Sequence, residues 1–239
     1  MIENGFLVLA FLAAGFVFWK RGKEEHFAED LLFDGYLFAT IAGLVAARIA
    51  YVLLHFGEFG WSVPSWINLW SHPGLSLAFG VAVGLGFLIR VSRAQHWDSY
   101  TILDMFMPGL ALAIAFQQLG AVIAGGSFGV QLGPVTIPVA VFLIVLLLGL
   151  SRYLYWVEYR YRTFAWYKSN QDAAKSGFIT ALGLLVINLM FLVSSVIAAG
   201  RQPTLSQAIT DGLFVIGFMV GAGVLIQRSG LFSRSKKRK

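Results

Sequence analysis

"LLFDGYLFATIAGLVAARIAYVLLHF", Leu31 to Phe56, is an apolar run of 26 residues interrupted only by Asp34 near its start and Arg48 towards its end. At about 1.5 Å of rise per residue, a helix of this length crosses the ~30 Å hydrocarbon core of a bilayer. A barrel strand would alternate polar and apolar residues over roughly ten positions, and this run does neither. It therefore reads as a transmembrane helix.

The same pattern recurs along the chain. Apolar runs fall near 4–19, 31–56, 73–91, 101–124, 134–151, 174–200 and 206–227, and nearly all charge lies between them. This predicts an all-α integral membrane protein with seven spans and a single polytopic domain over 1–239. The composition agrees: 58% of residues are hydrophobic, 13% are charged, and the mean hydropathy is +0.74. A water-soluble domain needs more polar surface than that. In the opening stretch MIENGFLVLAFLAAGFVFWKRGK, the acid precedes the apolar run and the bases follow it, the reverse of a secretory signal, so the first span is expected to be retained. Trp19 marks its interface.

Sixteen of the eighteen Lys and Arg residues follow span 1, follow span 3, surround the connection between spans 5 and 6, or form the tail 228–239. All of these fall on one side of a seven-span bundle. The positive-inside rule then predicts an external N-terminus and a cytoplasmic C-terminus. A short basic run directly after a membrane helix contacts anionic lipid or enforces topology, which argues against nucleic acid as the partner of SRSKKRK despite the net charge of +6. The aromatic and basic segment 153–168, around Glu158, predicts a helix lying in the inner interface. GEFGWSVPSWINLWSHPG, 57–74, holds three tryptophans and hardly any charge, and is expected on or in the outer leaflet surface.

Cysteine is absent, which excludes disulfides, thiolate nucleophiles and cysteine metal sites. The four histidines form no i,i+4 pair, so neither a metal centre nor a cofactor is expected. Attention falls on polar residues at membrane depth. Arg48 costs at least a few kcal/mol inside a span unless it is paired, hydrated or snorkelling. Two readings stand side by side: Arg48 grips a lipid phosphate across a polar cavity shared with Gln117 and Gln118 of span 4, or it is a structural arginine satisfied by helix-end carbonyls. Asp104 follows the helix-start sequence Asp98-Ser99-Tyr100-Thr101 and reads as a cap there. Asp211 either caps the start of span 7 or neutralises a basic group. Asn188 reads as interhelical glue, and the glycines of spans 3 and 4 as packing surfaces.

The ordered segments resemble the prolipoprotein diacylglyceryl transferase family. GLVAARIAYVLLHF, 43–56, is similar to the family's Gly-Gly-Arg-Ile-Gly-Tyr-Val stretch and keeps Arg48 and Tyr51. ILDMFMPGLALAIAFQQLGAVIAGGSFG, 102–129, is similar to its Asp-x-x-x-Pro segment and to its signature Gly-Arg-Leu-Gly-Asn-Phe-x-Asn-x-Glu-x-x-Gly, with Asp104, Pro108, Leu119, Gly120 and Gly129 in register. DGLFVIGF, 211–218, resembles the start of its last helix. The resemblance implies transfer of diacylglyceryl from phosphatidylglycerol to a prolipoprotein lipobox cysteine, with phosphatidylglycerol or a related phospholipid and prolipoprotein signal peptides as partners.

The departures cluster where that chemistry would occur. The signature arginine falls on Gln118, its asparagines on Ala121 and Ala124, and its glutamate on Gly126; a family histidine falls on Ala78 and a last-helix arginine near Ala222. Phospholipid binding with weak or lost transfer is therefore expected, with Arg48, Tyr51, Gln117 and Gln118 as lipid-binding candidates. The alternatives are a non-catalytic assembly partner of other membrane proteins and, with less support because no internal repeat is seen, a small transporter.

Overall fold

The structure is a computed structural model that describes residues 2–69, 74–125, 129–132, 135–165, 176–198 and 204–228. Seven of its helices are long and apolar enough to cross a membrane. They are α1 (Ile2–Glu24), α2 (Glu29–Leu54), α5 (Leu77–Ala94), α6 (Ser99–Ile123), α7 (Val139–Ala165), α8 (Phe178–Ala198) and α9 (Leu205–Arg228). Two short helices, α3 (Phe56–Phe59) and α4 (Val63–Ile67), lie between α2 and α5, and a small antiparallel hairpin of β1 (Val130–Leu132) and β2 (Val135–Ile137) lies between α6 and α7.

Helix α6 is the centre of the bundle, packing against α1, α5, α7 and α8. One face carries Met107, Leu110 and Ile114 into a core with Leu147, Leu150 and Leu154 of α7 and Ile187 of α8. Another carries Ile102 and Met105 against Phe18 of α1 and Leu32 and Tyr36 of α2. Lipid chains are as apolar as these side chains, so burial alone does little to hold membrane helices together; close backbone approach and polar ties do more. A Cβ placed on Gly109 of α6 would stand 2.9 Å from the Ala14 carbonyl oxygen of α1. Gly43 of α2 and Gly80 of α5 meet with the same intimacy, at 2.9 Å from Cβ position to carbonyl oxygen. The glycines of spans 3 and 4 thus do not face each other: Gly80 and Gly84 serve α2, whereas Gly109 and Gly120 serve α1.

Two differences from the sequence expectation have local causes. The fifth long helix begins at Val139 rather than near residue 134, because the β-branched run Val135-Thr136-Ile137 pairs as a strand and Pro138 restricts the residue before it to extended backbone. At its other end, residues 153–158 do not begin a separate surface helix. Helix α7 runs unbroken to Ala165, and Leu154, Val157 and Glu158 are buried in the bundle. Residues 166–168, the tail from 229 and Gly126 lie outside the described residues.

Candidate functional site

Arg48 stands near the end of α2 that leads into the short helices, and only 9% of it is exposed. Its guanidinium faces backbone carbonyls. Nε donates to Trp66 O at 2.6 Å, Nη1 to Gly74 O at 3.0 Å, and Nη2 to Ser65 O at 3.0 Å and Asn68 O at 3.4 Å. The Phe59 ring centroid lies 5.2 Å from its Cζ, a cation–π distance. Carbonyls at the end of a helix lack intrahelical partners and carry partial negative charge, so a cation there is stabilising. For the carbonyls of Ser65, Trp66 and Asn68 at the end of α4, Arg48 supplies that cation.

Tyr51, one turn further along α2, belongs to the same cluster. Its ring stacks on His55 at 4.3 Å, meets the edge of Phe59 at 6.1 Å, and occupies the space in which a side chain on Gly74 would sit. The start of α5 is tied to this region by a bond from Ser76 N to Ala47 O of 3.0 Å, and Ala78 lies in the first turn of α5.

The glutamines are elsewhere. Gln117 and Gln118 are half-buried near the end of α6, and the Oε1 of Gln117 is buried with no hydrogen-bond partner among the described residues. Helix α2 packs chiefly along α5, and the α6 residues clustered with it, Ile102, Leu103 and Met105, lie in the half of α6 away from the glutamines. The hydrogen bonds described for Arg48 run to the carbonyls of Ser65, Trp66, Asn68 and Gly74. Gly120, at the signature position beside Gln118, lies hard against Phe6 of α1: an added Cβ would be 2.5 Å from Phe6 Cβ. Ala121 is half-buried in the same turn, and Ala222 is half-buried in α9 beside Gly221, which packs on α8.

The acids settle into structural roles, one of them unforeseen. Asp98 caps α6, accepting from Tyr100 N and Thr101 N, and Thr101 Oγ1 donates to it at 2.7 Å. Burial pushes the Asp98 carboxyl up, but hydrogen bonds from Thr101, Ser176 and the backbone N–H groups outweigh it and hold the group below the usual carboxylate range. Asp104 caps a different helix from the expected one. Its Oδ2 accepts from Gly177 N at 2.6 Å, and its Oδ1 from Thr180 N at 2.7 Å and Thr180 Oγ1 at 2.5 Å, so it closes the start of α8 from within α6. Asp211 lies beyond the first turn of α9 and accepts from Ser195 of α8 at 2.8 Å, while Thr204 Oγ1 accepts from Gln207 N at the helix start. Asn188 donates to Leu184 O within its own helix at 2.6 Å, and its amide fills the space over Gly217 of α9.

A buried ion pair went unread in the sequence. Arg21 of α1 reaches Glu158 of α7, Nη2 to Oε1 3.1 Å, and also pairs with Glu24; Glu158 is fully buried and Arg21 nearly so. Arg21 resembled one more topology-setting base, and Glu158 one acid in an aromatic surface segment. Their distance in sequence hid the pairing. Along the lipid-facing side, α1 and α2 also frame an open groove of about 300 Å³ lined by Phe11, Leu12, Gly15, Phe16, Trp19, Phe33 and Tyr36. Among the described residues no group of His, Asp and Glu could hold a metal ion.

Seven apolar helices, small-residue contacts and buried polar ties define a multi-pass α-helical membrane protein. Residues 5–225 match the sequence profile of the family described as prolipoprotein diacylglyceryl transferase, and the chain belongs to that family. It is 26% identical over 137 residues to phosphatidylglycerol–prolipoprotein diacylglyceryl transferase 2 of Clostridium perfringens, covering 53% of this chain and 50% of that one. It is also 23% identical over 143 residues to the corresponding protein of Clostridium tetani, covering 56% and 52%, and 27% identical over 120 residues to that of Lactobacillus johnsonii, covering 50% and 41%. The aligned part of the chain thus spans about half the length of these curated relatives.

Proposed function

We propose that this protein holds phospholipid, phosphatidylglycerol or a close relative, in the bacterial inner membrane, with its N-terminus outside, and that it performs diacylglyceryl transfer weakly or not at all. Transfer to a cysteine sulfur needs a thiolate, and therefore a base or a strongly positive setting. It also expels glycerol phosphate, whose developing charge calls for fixed positive donors. The observation that carries the proposal is the state of Arg48: its donors are turned onto the carbonyls of Ser65, Trp66, Asn68 and Gly74, so its charge organises backbone instead of a leaving phosphate. Neutral residues at Gln118, Ala78 and Ala222, where the family resemblance places arginine, histidine and arginine, support the same conclusion. Gln118 can donate a hydrogen bond but supplies neither the charge nor the fork of a guanidinium.

Lipid retention draws its support from the lateral groove between α1 and α2, whose aromatic and aliphatic lining suits an acyl chain. The test uses purified protein, phosphatidylglycerol labelled in its diacylglyceryl group and a lipobox peptide, with native mass spectrometry for bound lipid. Expected are phosphatidylglycerol retained through a detergent wash, less of it in Leu12→Trp, and transfer at least about a hundredfold below that of an active relative, the effect of losing one charge-stabilising donor. Turnover equal to the relative's overturns the loss of transfer. Absence of bound lipid overturns retention and leaves the role of an assembly partner.

A further inference from the structure

We propose that α1–α2 and α5–α6 are two copies of one helical hairpin, related by a pseudo-two-fold axis running along the helices, each residue of the first copy matching the residue 70 positions later. This holds whether or not lipid is bound or transferred. The boundaries give the offset: α1 ends at Glu24 and α5 at Ala94, and α2 begins at Glu29 and α6 at Ser99. The turns between them are the same turn. His26 and His96, with φ of 63° and 58°, are the non-glycine residues in the left-handed region among the described residues. Around each, three hydrogen bonds repeat. Glu25 N to Arg21 O, His26 N to Lys23 O and Phe27 N to Gly22 O span 3.0–3.1 Å; Gln95 N to Val91 O, His96 N to Arg93 O and Trp97 N to Ser92 O span 2.8–3.2 Å. The cap positions that follow also agree, Ala28 at φ −62° and ψ 112°, Asp98 at φ −68° and ψ 110°.

A shared turn alone would be two instances of a common helix-end motif. Packing supplies the symmetry. The tight interfaces among these four helices join one copy to the other, α1 to α6 and α2 to α5, and exchanging the copies turns one interface into the other. The match extends to residues: a Cβ on Gly109 would stand 2.9 Å from Ala14 O, and one on Gly84, the match of Ala14, would stand 3.4 Å from the carbonyl oxygen of Ala39, the match of Gly109. Matching residues also meet one another, as residues beside a two-fold axis must. The ring centroids of Phe27 and Trp97 lie 5.2 Å apart, and those of Tyr36 and Phe106 6.2 Å apart. At the far end, Ser76 N bonded to Ala47 O ties α2 to the lead-in of α5, and Gly120 against Phe6, the match of Ser76, ties α6 to the start of α1.

The sequence hides the repeat because identities at this offset are few, His26 with His96 and Asp34 with Asp104 among them. Packed membrane helices need small residues at close approaches and apolar ones elsewhere, not particular side chains, so the backbone pattern outlasts the residues. The repeat takes in four of the seven long helices and leaves α7, α8 and α9 outside it, unlike the paired halves of a transporter. It makes Arg48 and Gln118 one position used twice. In the first copy that position clamps the segment leading to α5; in the second it carries a neutral amide, two residues before Gly120 meets the start of α1.

The test moves side chains between the copies in the full-length protein and reads the thermal midpoint in detergent. Tyr36 Oη donates to Phe11 O at 2.6 Å, and the match of Phe11 is Val81. Tyr36→Phe gives up that bond; adding Phe106→Tyr places the hydroxyl at the matching site, where Val81 O should receive it. The pair should melt above Tyr36→Phe alone, by up to the about 2–4 °C of one hydrogen bond in a chain of this size. An equal or lower midpoint overturns the proposal, because a hydroxyl buried without an acceptor destabilises. Independently, adding Ala14→Gly to Gly109→Ala gives that contact the arrangement of Gly84 with Ala39, and should raise the midpoint above that of Gly109→Ala alone. Without the two-fold match the added Cβ still presses on the backbone of residue 14, and a midpoint that stays level or falls overturns the proposal.

Discussion

Asp104→Ala removes the acceptor that closes the start of α8 from the middle of the bundle. The carboxylate is buried and takes three hydrogen bonds, from Gly177 N, Thr180 N and Thr180 Oγ1, at 2.5–2.7 Å. Without it, two backbone N–H groups are left at a buried helix end, each costing about 1–2 kcal/mol, for a total of about 2–4 kcal/mol. The lower figure applies if water reaches the gap. Asp104→Asn retains one accepting oxygen but turns an amide N–H₂ towards backbone donors, and should lose about half as much. The assay is reversible unfolding by SDS titration in mixed micelles, followed by circular dichroism. A cycle with Thr180→Val isolates the shared bonds, with a coupling of at least about 0.5 kcal/mol expected for groups in direct contact. A loss under about 0.5 kcal/mol for Asp104→Ala, or strict additivity with Thr180→Val, would refute the inter-helix cap.

Other tests address separate ties. Glu158→Leu should cost less than the ~3–5 kcal/mol of a stranded buried charge, because Arg21 keeps Glu24 as a partner, and adding Arg21→Met should recover part of that loss in the same titration. Gly109→Ala should cost about 1–3 kcal/mol by pressing α1 away from α6, seen as a lowered thermal midpoint in detergent. Asp98→Asn tests the pH dependence. Because the folded carboxyl is held below its ordinary value near 3.9, its stabilisation is complete above about pH 4 and is lost as pH falls through the folded value. The stability gap between Asp98→Asn and the parent protein should therefore narrow below about pH 4 in thermal scans; a constant gap down to pH 3 would count against the carboxylate's role.

Much of this protein is legible without coordinates. Hydrocarbon admits only backbone that satisfies its own hydrogen bonds, so runs such as Leu31–Phe56 determine helices and their number. Asp98 is readable as a cap because its partners are two and three residues away. The likeness of 43–56 and 102–129 to one family survives the test of a profile match over most of the chain. These are local or linear properties.

Partnership across the bundle is neither. Asp104 carries the same composition signal as a local cap, yet its acceptors serve a helix 73 residues away, because α6 and α8 cross where α8 begins. Arg21 and Glu158 read as surface charges until α1 and α7 bring them together. Arg48 is ambiguous by sequence because a membrane-depth arginine satisfies its charge with phosphate or with carbonyl oxygen equally well. Only the placing of Ser65, Trp66, Asn68 and Gly74 against the end of α2 chose carbonyls. The sequence by itself determined seven apolar helices and a family, since the bilayer acts on each segment separately. Tertiary structure decided what each buried charge is for, since an ion at low dielectric is defined by the group it meets.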